Sequence, residues 1–416
     1  MAKRTIIVGV NQTMMAALAM ATIAAFVDGP GLGQPVLDGL KRGQLGASFV
    51  SGICIVIMAI MLDRTTTAAS VRAENAARAG VTKTRQRRLI LAVGGILTIA
   101  AIVVSNRLLW ANEFPSGAVD LGTPIERAVD SFGDWLTTDL SAATETIQEQ
   151  FTLVLLNPLQ DLVANSPWFV TGLALCGLAV VIGGLRALTA AVLCLGVIYA
   201  MGLWNNAMIT LTSVLVATAV VMVLAVVAGV WMGRSSTVDR MLRPLLDAGQ
   251  TLPPFVYLIP ILILFGANRF TAIVAGIVYA APPAIKLVAD GIRGVSPTTI
   301  EAAESAGTNR WQMITKVQLP MARGSLLLAA NQGLLYVLSM VVIGGMVGAG
   351  ALGFDIVTGF RQSNYIGRGL AAGVSIVLIG IMLDRVTTYG AARQGVAGQR
   401  KGISRRRRSQ TALNLS

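Results

Sequence analysis

Glu301-Ala302-Ala303, Gly307, Val317, Leu319 and Pro320 stand as a punctuated polar island between two long apolar runs. The chemistry those residues permit is docking rather than bond-making. Ser296 is a good helix N-cap, Pro297 suits the first helical position, and Gly307 can end a helix in the left-handed conformation. The spacing therefore predicts a short helix near 297–306. Ile300, Ala303 and Ala306 or Gly307 share one of its faces, small enough for close approach, while Glu301 and Glu304 point elsewhere. Thr308 is expected to cap a second helical stretch in which Trp311, Ile314 and Val317 recur at helical spacing, and Pro320 to break the run before the next apolar segment. A helix-turn-helix of this kind, lying along a membrane, fits a groove in a soluble partner, with the Glu301 carboxylate offered to a basic or amide donor.

Other chemistry is excluded more directly. The chain contains no histidine, which removes His-based triads, His-ligated metals and His proton relays. No Gly-x-x-x-x-Gly-Lys-Ser/Thr loop is present to cradle phosphates. Cys54, Cys176 and Cys194 all lie in apolar runs, without paired or metal-ligand spacing, and read as packing residues. Pro253, Pro254 and Pro260 fall in one apolar run and Pro282-Pro283 in the next, where each proline removes a backbone donor and bends a helix. Asn331, Gln332 and Ser339 are polar groups inside another run, so they face a cavity or tie helices together. Tyr257 offers a ring to a quaternary ammonium. Lys286 and Asp290, one turn apart, either pair with each other or extend toward water.

The elements that must position these residues follow from composition. Of 416 residues, 54% are hydrophobic and 13% charged, a balance that belongs in a bilayer. Mean hydropathy is +0.70. Roughly ten apolar stretches approach the length needed to cross a hydrocarbon core, near 5–27, 46–62, 89–110, 168–185, 187–203, 209–232, 252–267, 270–290, 325–347 and 368–383. Helices satisfy their own backbone in lipid, so the expected fold is an all-α polytopic bundle.

The formal net charge of +13 does not point to nucleic acid, because the charges are sorted by loop. Basic residues gather between Arg64 and Arg88 and again from Arg393 to Arg408, whereas 112–167 carries nine acidic residues against Arg127 alone. Basic loops stay cytoplasmic, which puts both termini, 63–88, 234–250 and 291–324 inside and 112–167 outside. No cleavable signal follows Met1-Ala2-Lys3-Arg4, since the apolar run behind it is of spanning length. Within the external segment Ile125, Val129, Phe132 and Leu136 share a helical face beside Trp135, as an interfacial helix or a solvated connector would arrange them. The basic run Arg405 to Arg408 is an anchor, a solvated tail or a site for anionic headgroups.

An internal repeat adds a second signal. Met1-Ala2-Lys3 through Asn11-Gln12 matches Met321-Ala322-Arg323 through Asn331-Gln332, and the match continues through Leu32-Gly33 and Leu352-Gly353. After one inserted residue, Met61-Leu62-Asp63-Arg64 pairs with Met382-Leu383-Asp384-Arg385. Residues 1–67 thus form a partial copy of 321–388. Met1 then corresponds to an internal methionine of a longer tandem chain, with partial duplication as the alternative.

The segment from about Thr210 to Thr388 resembles the permease subunit of ATP-binding-cassette importers, in the glycine betaine/proline branch. Carrying that resemblance are Leu242-Arg243-Pro244-Leu245-Leu246-Asp247, the run from Gln250 to Pro260, Glu301-Ala302-Ala303-Glu304-Ser305, Lys316-Val317-Gln318-Leu319-Pro320, Asn331-Gln332 and Leu338 to Val342. It implies a type I importer core in 209–388 with an ATPase-coupling loop at 293–320, formed by Glu301, Ala302, Ala303, Gly307, Leu319 and Pro320. The remaining regions are then the repeat 1–67, a basic linker 68–88, N-terminal helices 89–208 and a basic tail 389–416. The resemblance further implies a multi-pass inner-membrane protein that moves a compatible solute inward, such as glycine betaine, a choline-like amine or proline. Its partners would be an ABC ATPase subunit, an extracytoplasmic solute-binding protein, a second permease unit and the lipid bilayer, with no nucleic acid. ATP would sit on the partner, and this chain would bind no cofactor or metal and catalyse nothing itself. Pro253, Pro254, Tyr257, Pro260, Asn331, Gln332 and Ser339 are the candidates for its translocation path. A type I permease for another solute, such as a sulfonate or amino acid, and an ion-coupled secondary transporter remain alternatives.

Overall fold

The computed structural model describes residues 13, 17, 20, 24–27, 29–78, 84–108, 120–252 and 254–413. Among these the chain is helical throughout, with no strand. After a 3-10 turn at Ala24–Val27 come α1 (Gly33–Arg42), α2 (Leu45–Arg78), α3 (Thr84–Arg107), α4 (Gly122–Asp139), α5 (Ser141–Phe151), α6 (Asn157–Val163), α7 (Trp168–Gly183) and α8 (Leu185–Ala200). There follow α9 (Trp204–Arg234), α10 (Ser236–Thr251), α11 (Pro254–Phe265), α12 (Arg269–Arg293), α13 (Pro297–Ser305), α14 (Arg310–Gln312), α15 (Leu319–Met321), α16 (Arg323–Gly344), α17 (Ala351–Arg361) and α18 (Ile366–Leu413).

Five helices among the described residues are long and apolar enough to cross a membrane: Leu45–Thr66, Trp204–Arg234, Arg269–Arg293, Arg323–Gly344 and Ser363–Arg393. A sixth is reached if Ser141–Val163 and Trp168–Gly183, bent by 103°, count as one span. The count of ten is therefore not confirmed. The apolar run at 187–203 becomes the 16-residue helix Leu185–Ala200, and those at 89–110 and 252–267 fall in α3 and α11. Most of 5–27 lies outside the described residues. Hydropathy counts apolar residues without registering where the backbone turns. Gly184, at φ +78°, separates α7 from α8, and Gly266, at φ +67°, closes α11 after 12 residues. The prolines behave unevenly too, since α12 continues through Pro282-Pro283 as one helix of 25 residues.

The core is built on α9, α12 and α16. Met208, Leu211, Val221, Val288, Ile292 and Val337 are buried in it together. Close approach of α9 and α12 depends on Gly229 and Gly233, four residues apart on one face. A Cβ at Gly229 would stand 2.7 Å from the Val288 Cβ, and one at Gly233 2.7 Å from the Ile292 Cβ. Gly229→Val is accordingly expected to force the two helices apart at a cost of about 1–3 kcal/mol. A fall in melting temperature in detergent checks it, with Gly196→Val as control, because a Cβ at Gly196 meets nothing within 4 Å.

Among the described residues the two copies of the repeat share their main helices, the 3-10 turn Ser363–Tyr365 occurring in the second copy alone. Ala24–Val27, α1 and α2 correspond to Gly345–Val347, α17 and α18. The first hairpin packs on α11, where Val36 and Ile55 are buried with Ile259 and Ile263. Helix α4 seats beside them: Val129 and Leu136 join this cluster, and the Gly46 amide donates to the Asp130 carboxylate at 2.8 Å. The acidic segment thus packs on neighbouring helices through Val129 and Leu136. Phe132 and Trp135 stack on its outer face, ring centroids 5.8 Å apart. Phe132 does not share the buried face, because Gly133 supplies the close approach to Ile263.

Candidate functional site

The loop after α12 starts at the predicted residue, but the Ser296 hydroxyl meets that of Thr298 at 2.7 Å and caps no backbone amide, and the middle is shifted. Pro297 opens α13, and Gly307 leaves it at φ +78°, with open space where a Cβ would stand. The second cap is Asn309 and not Thr308. Asn309 and Gln312 form a reciprocal capping box, the Gln312 amide donating to Asn309 at 2.8 Å and the Asn309 amide to Gln312 at 3.1 Å. The Thr308 hydroxyl instead donates to the Ala303 carbonyl at 2.8 Å, folding the turn back on α13. Pro320 does not end the run either: it lies inside α15, and the backbone breaks at Ala322. Lacking an amide hydrogen, a proline is tolerated in a first helical turn, so the break falls later.

The sequence-predicted residues of this loop divide into tip and root. Glu301, Ala302, Gly307 and Pro320 are exposed, while Ala303 and Leu319 are half-buried. The root includes the run Lys316-Val317-Gln318-Leu319-Pro320, but the run does not show which of its side chains is buried or what it meets. Met313 and Gln318 are buried, and the Gln318 side-chain oxygen accepts from the Arg234 guanidinium at 2.7 Å, fastening the loop to the end of α9. Burial of an amide side chain requires such a partner.

Beside the root, α10 and α12 are joined by charge. Asp239 accepts from Arg243 at 3.0 Å and from Arg293 at 3.0 Å. Arg243 reaches Asp290 at 2.6 Å, Lys286 pairs with Asp247, and Arg293 also donates to the Met232 carbonyl at 3.0 Å. Lys286 and Asp290 therefore do not pair with each other; each is taken by α10. The bond from Arg243, helped by Arg293 and opposed by partial burial, holds the Asp239 carboxyl below its ordinary value. Bonds to Asp290 and Asp239 push the Arg243 guanidinium further up. A depressed carboxyl contributes stability that is present above its unfolded pKa of about 3.9 and lost as pH falls through the lower folded value. Asp239→Asn is thus expected to lower the melting temperature at pH 7 and flatten its decline below about pH 4, measured by thermal unfolding in detergent across pH.

The candidate path residues do not form one site. Pro253 lies outside the described residues. Pro254 begins α11, Tyr257 is buried within it, and Pro260 is exposed. Asn331 ties helices together, donating to Asp384 at 2.9 Å and accepting from Thr387 at 3.1 Å, both on α18. Gln332 is half-buried beside it. Ser339 is exposed, donates to the Tyr336 carbonyl at 2.8 Å, and lines a groove of about 410 Å³ with Leu335 and Asp384. What hydropathy could not reveal is a row of tyrosines from three helices. Tyr257 and Tyr279 have ring centroids 5.5 Å apart, and Tyr279 and Tyr336 5.0 Å. The Tyr257 hydroxyl donates to the Gly249 carbonyl of α10, joining this row to the charged end.

A buried carboxylate and a half-buried guanidinium lie by the opposite ends of α9 and α12. Asp355, in α17, accepts from Arg368 at 2.9 Å and from Asn206 at 2.5 Å. Arg269, at the start of α12, donates to Ser213 at 2.9 Å, to the Ile209 carbonyl at 3.0 Å and to Gln160.

Residues 222–395, which contain the charged end, the loop and the tyrosine row, match the family described as binding-protein-dependent transport system inner membrane component. The glycine betaine/proline betaine transport system permease protein ProW of Escherichia coli is 37% identical over 264 residues, covering 64% of this chain and 74% of that protein. The chain belongs to this family of inner membrane transport components. Similar to it as well are the glycine betaine/carnitine transport permease protein GbuB of Listeria monocytogenes, 40% identical over 46% of this chain and 67% of that protein, and a longer relative. The latter is the trimethylamine N-oxide transport system permease protein TmoV of Ruegeria pomeroyi, 30% identical over 92% of this chain. The chain spans 58% of that relative's length. Family membership and the apolar helices make it a multi-pass membrane protein.

Proposed function

We propose that the chain is the membrane-spanning part of an importer for a small methylated amine, glycine betaine first, driven by an ATPase docked on the 293–320 loop. The observation that carries the reading is the division of this loop into an exposed tip with Glu301, Ala302 and Gly307 and a root locked by Gln318 to α9. A partner that grips the tip moves the root, and through it the core helices. For ATP to drive transport, grip on the tip must differ between nucleotide states of the partner.

The orientation follows from charge: the loop, the basic linker and both termini lie on the cytoplasmic side, and 112–167 outside. The partners are then an ATPase that holds the nucleotide, a solute-binding protein on the outer face, and a second permease unit, with no cofactor on this chain. Tyrosine faces attract quaternary ammonium groups, so Tyr257, Tyr279 and Tyr336 are the residues assigned to meet the solute. Trimethylamine N-oxide is the second reading, favoured by a relative of that name aligned over 92% of this chain.

The test is ATP-dependent uptake of radiolabelled glycine betaine into vesicles holding the chain with its ATPase, binding protein and second unit. Glycine betaine uptake that trimethylamine N-oxide does not displace supports the first reading. Displacement at equal or lower concentration supports the second, and uptake driven by an ion gradient without ATP overturns both.

A further inference from the structure

The two copies of the repeat differ in what lies between their helices. In the first copy, Val36 and Ile55 are buried with Ile259 and Ile263 of α11, and Leu40, Leu45 and Phe49 close around them. Gly52 makes room, since a Cβ there would stand 3.2 Å from the Ile259 Cδ1. In the register set by Leu32-Gly33/Leu352-Gly353 and Met61/Met382, the counterparts of Val36, Leu40, Leu45, Phe49 and Gly52 are Ile356, Phe360, Ile366, Leu370 and Gly373. All five counterparts line an open groove of about 530 Å³ between α17 and α18, its floor at Ile356 being buried in the core, as is Ile376, the counterpart of Ile55. Phe360 is 54% exposed and Leu370 65%. Gly373 has nothing within 4 Å of a Cβ, so its own hairpin does not require a glycine there, whereas Gly52 is needed to admit Ile259.

We infer that this groove seats the helix of a second permease unit that corresponds to α11. The inference rests on the proposed reading of the chain as one unit of a pair, and adds which face joins them and which helix fills it. A second copy of this chain does not qualify. Its α11 is already covered, with Ile259 1% and Ile263 6% exposed under the first hairpin and α4. The occupant is a homologous unit whose corresponding helix is bare and presents two branched aliphatic side chains one turn apart, as Ile259 and Ile263 do. The hairpin of residues 24–78 is the mirror half of the same junction, carried on this chain.

The experiment places a photoreactive benzoylphenylalanine at Leu370 of the full chain in the membranes of its source organism, followed by mass spectrometry of the adducts. The expected adduct is a permease peptide with the aliphatic and proline pattern of α11 from a different polypeptide. Gly373→Phe should reduce it at least 10-fold without lowering the melting temperature. Should that variant fail to fold, Gly373→Cys is read instead, expected to be protected from maleimide in the purified assembly and reactive in the isolated chain. Adducts to lipid alone, to α11 of a second copy, or to any other protein would overturn the inference. Uptake is scored separately. Lipid-only adducts in membranes that import glycine betaine sink this inference and spare the functional reading, while a permease adduct without ATP-driven uptake does the reverse.

Discussion

Replacing Glu301 and Gly307 together by alanine is expected to abolish ATP-driven uptake, by at least 10-fold, while the protein reaches the membrane at its ordinary level. Both positions are exposed, so neither substitution leaves a cavity or an unpaired buried group. Glu301→Ala withdraws the one carboxylate that α13 offers ahead of its last turn. Gly307→Ala asks a side-chain-bearing residue to hold φ +78°, which costs roughly 1–2 kcal/mol and tilts α13 against the capping box behind it. The measurement is paired: vesicle uptake, and recovery of the ATPase with the tagged chain. Wild-type uptake by the double variant would remove the loop from the mechanism. Lost uptake with full ATPase recovery would place the defect after docking.

Arg368→Ala is expected to be the most damaging single substitution at the other end of the core. It leaves the Asp355 carboxylate, 8% exposed, with Asn206 as its remaining neutral partner. Only the carboxylate is buried, the Arg368 side chain being 54% exposed, so deleting it costs less than breaking a fully buried pair, about 1–3 kcal/mol for an acceptor left short of a donor. The loss shows as a drop in folded yield and melting temperature. Asp355→Asn in the same chain should recover most of it, since the amide removes the charge and keeps hydrogen-bonding capacity for Asn206. If the double variant is no better than Arg368→Ala, the charge is not the cause, and packing of the Arg368 stem accounts for the defect.

The features legible in the sequence are those that depend on neighbours along the chain. Pro297 and Gly307 mark the ends of α13 because cap chemistry is local, and the long apolar runs of α9, α12 and α16 declare themselves by composition. The repeat is readable by comparing the chain with itself. What pairs across space is not. Lys286 and Asp290 look like natural partners one turn apart, yet α10 lays Asp247 and Arg243 alongside and takes both. Thr308 and Asn309 are adjacent residues with similar capping ability, and the cap falls to Asn309 because Gln312 can reciprocate. Asn331 is as suited to a polar path as to a helix tie until Asp384 and Thr387 are brought opposite it. Tyr279 and Tyr336 carry no signal singly, and become a row only when α11, α12 and α16 assemble.

Helix α12 is pinned at both extremities, by Arg269 to Ser213 and the Ile209 carbonyl and by Arg293 to Asp239 and the Met232 carbonyl. Its 25 residues span about 37 Å at 1.5 Å each. The helix is continuous although Pro282-Pro283 remove two backbone donors from its middle, so a displacement at Arg293 is carried toward Arg269 along one element. On the proposed reading, a movement at the loop side would thereby be coupled to the opposite side through a single element held at each end.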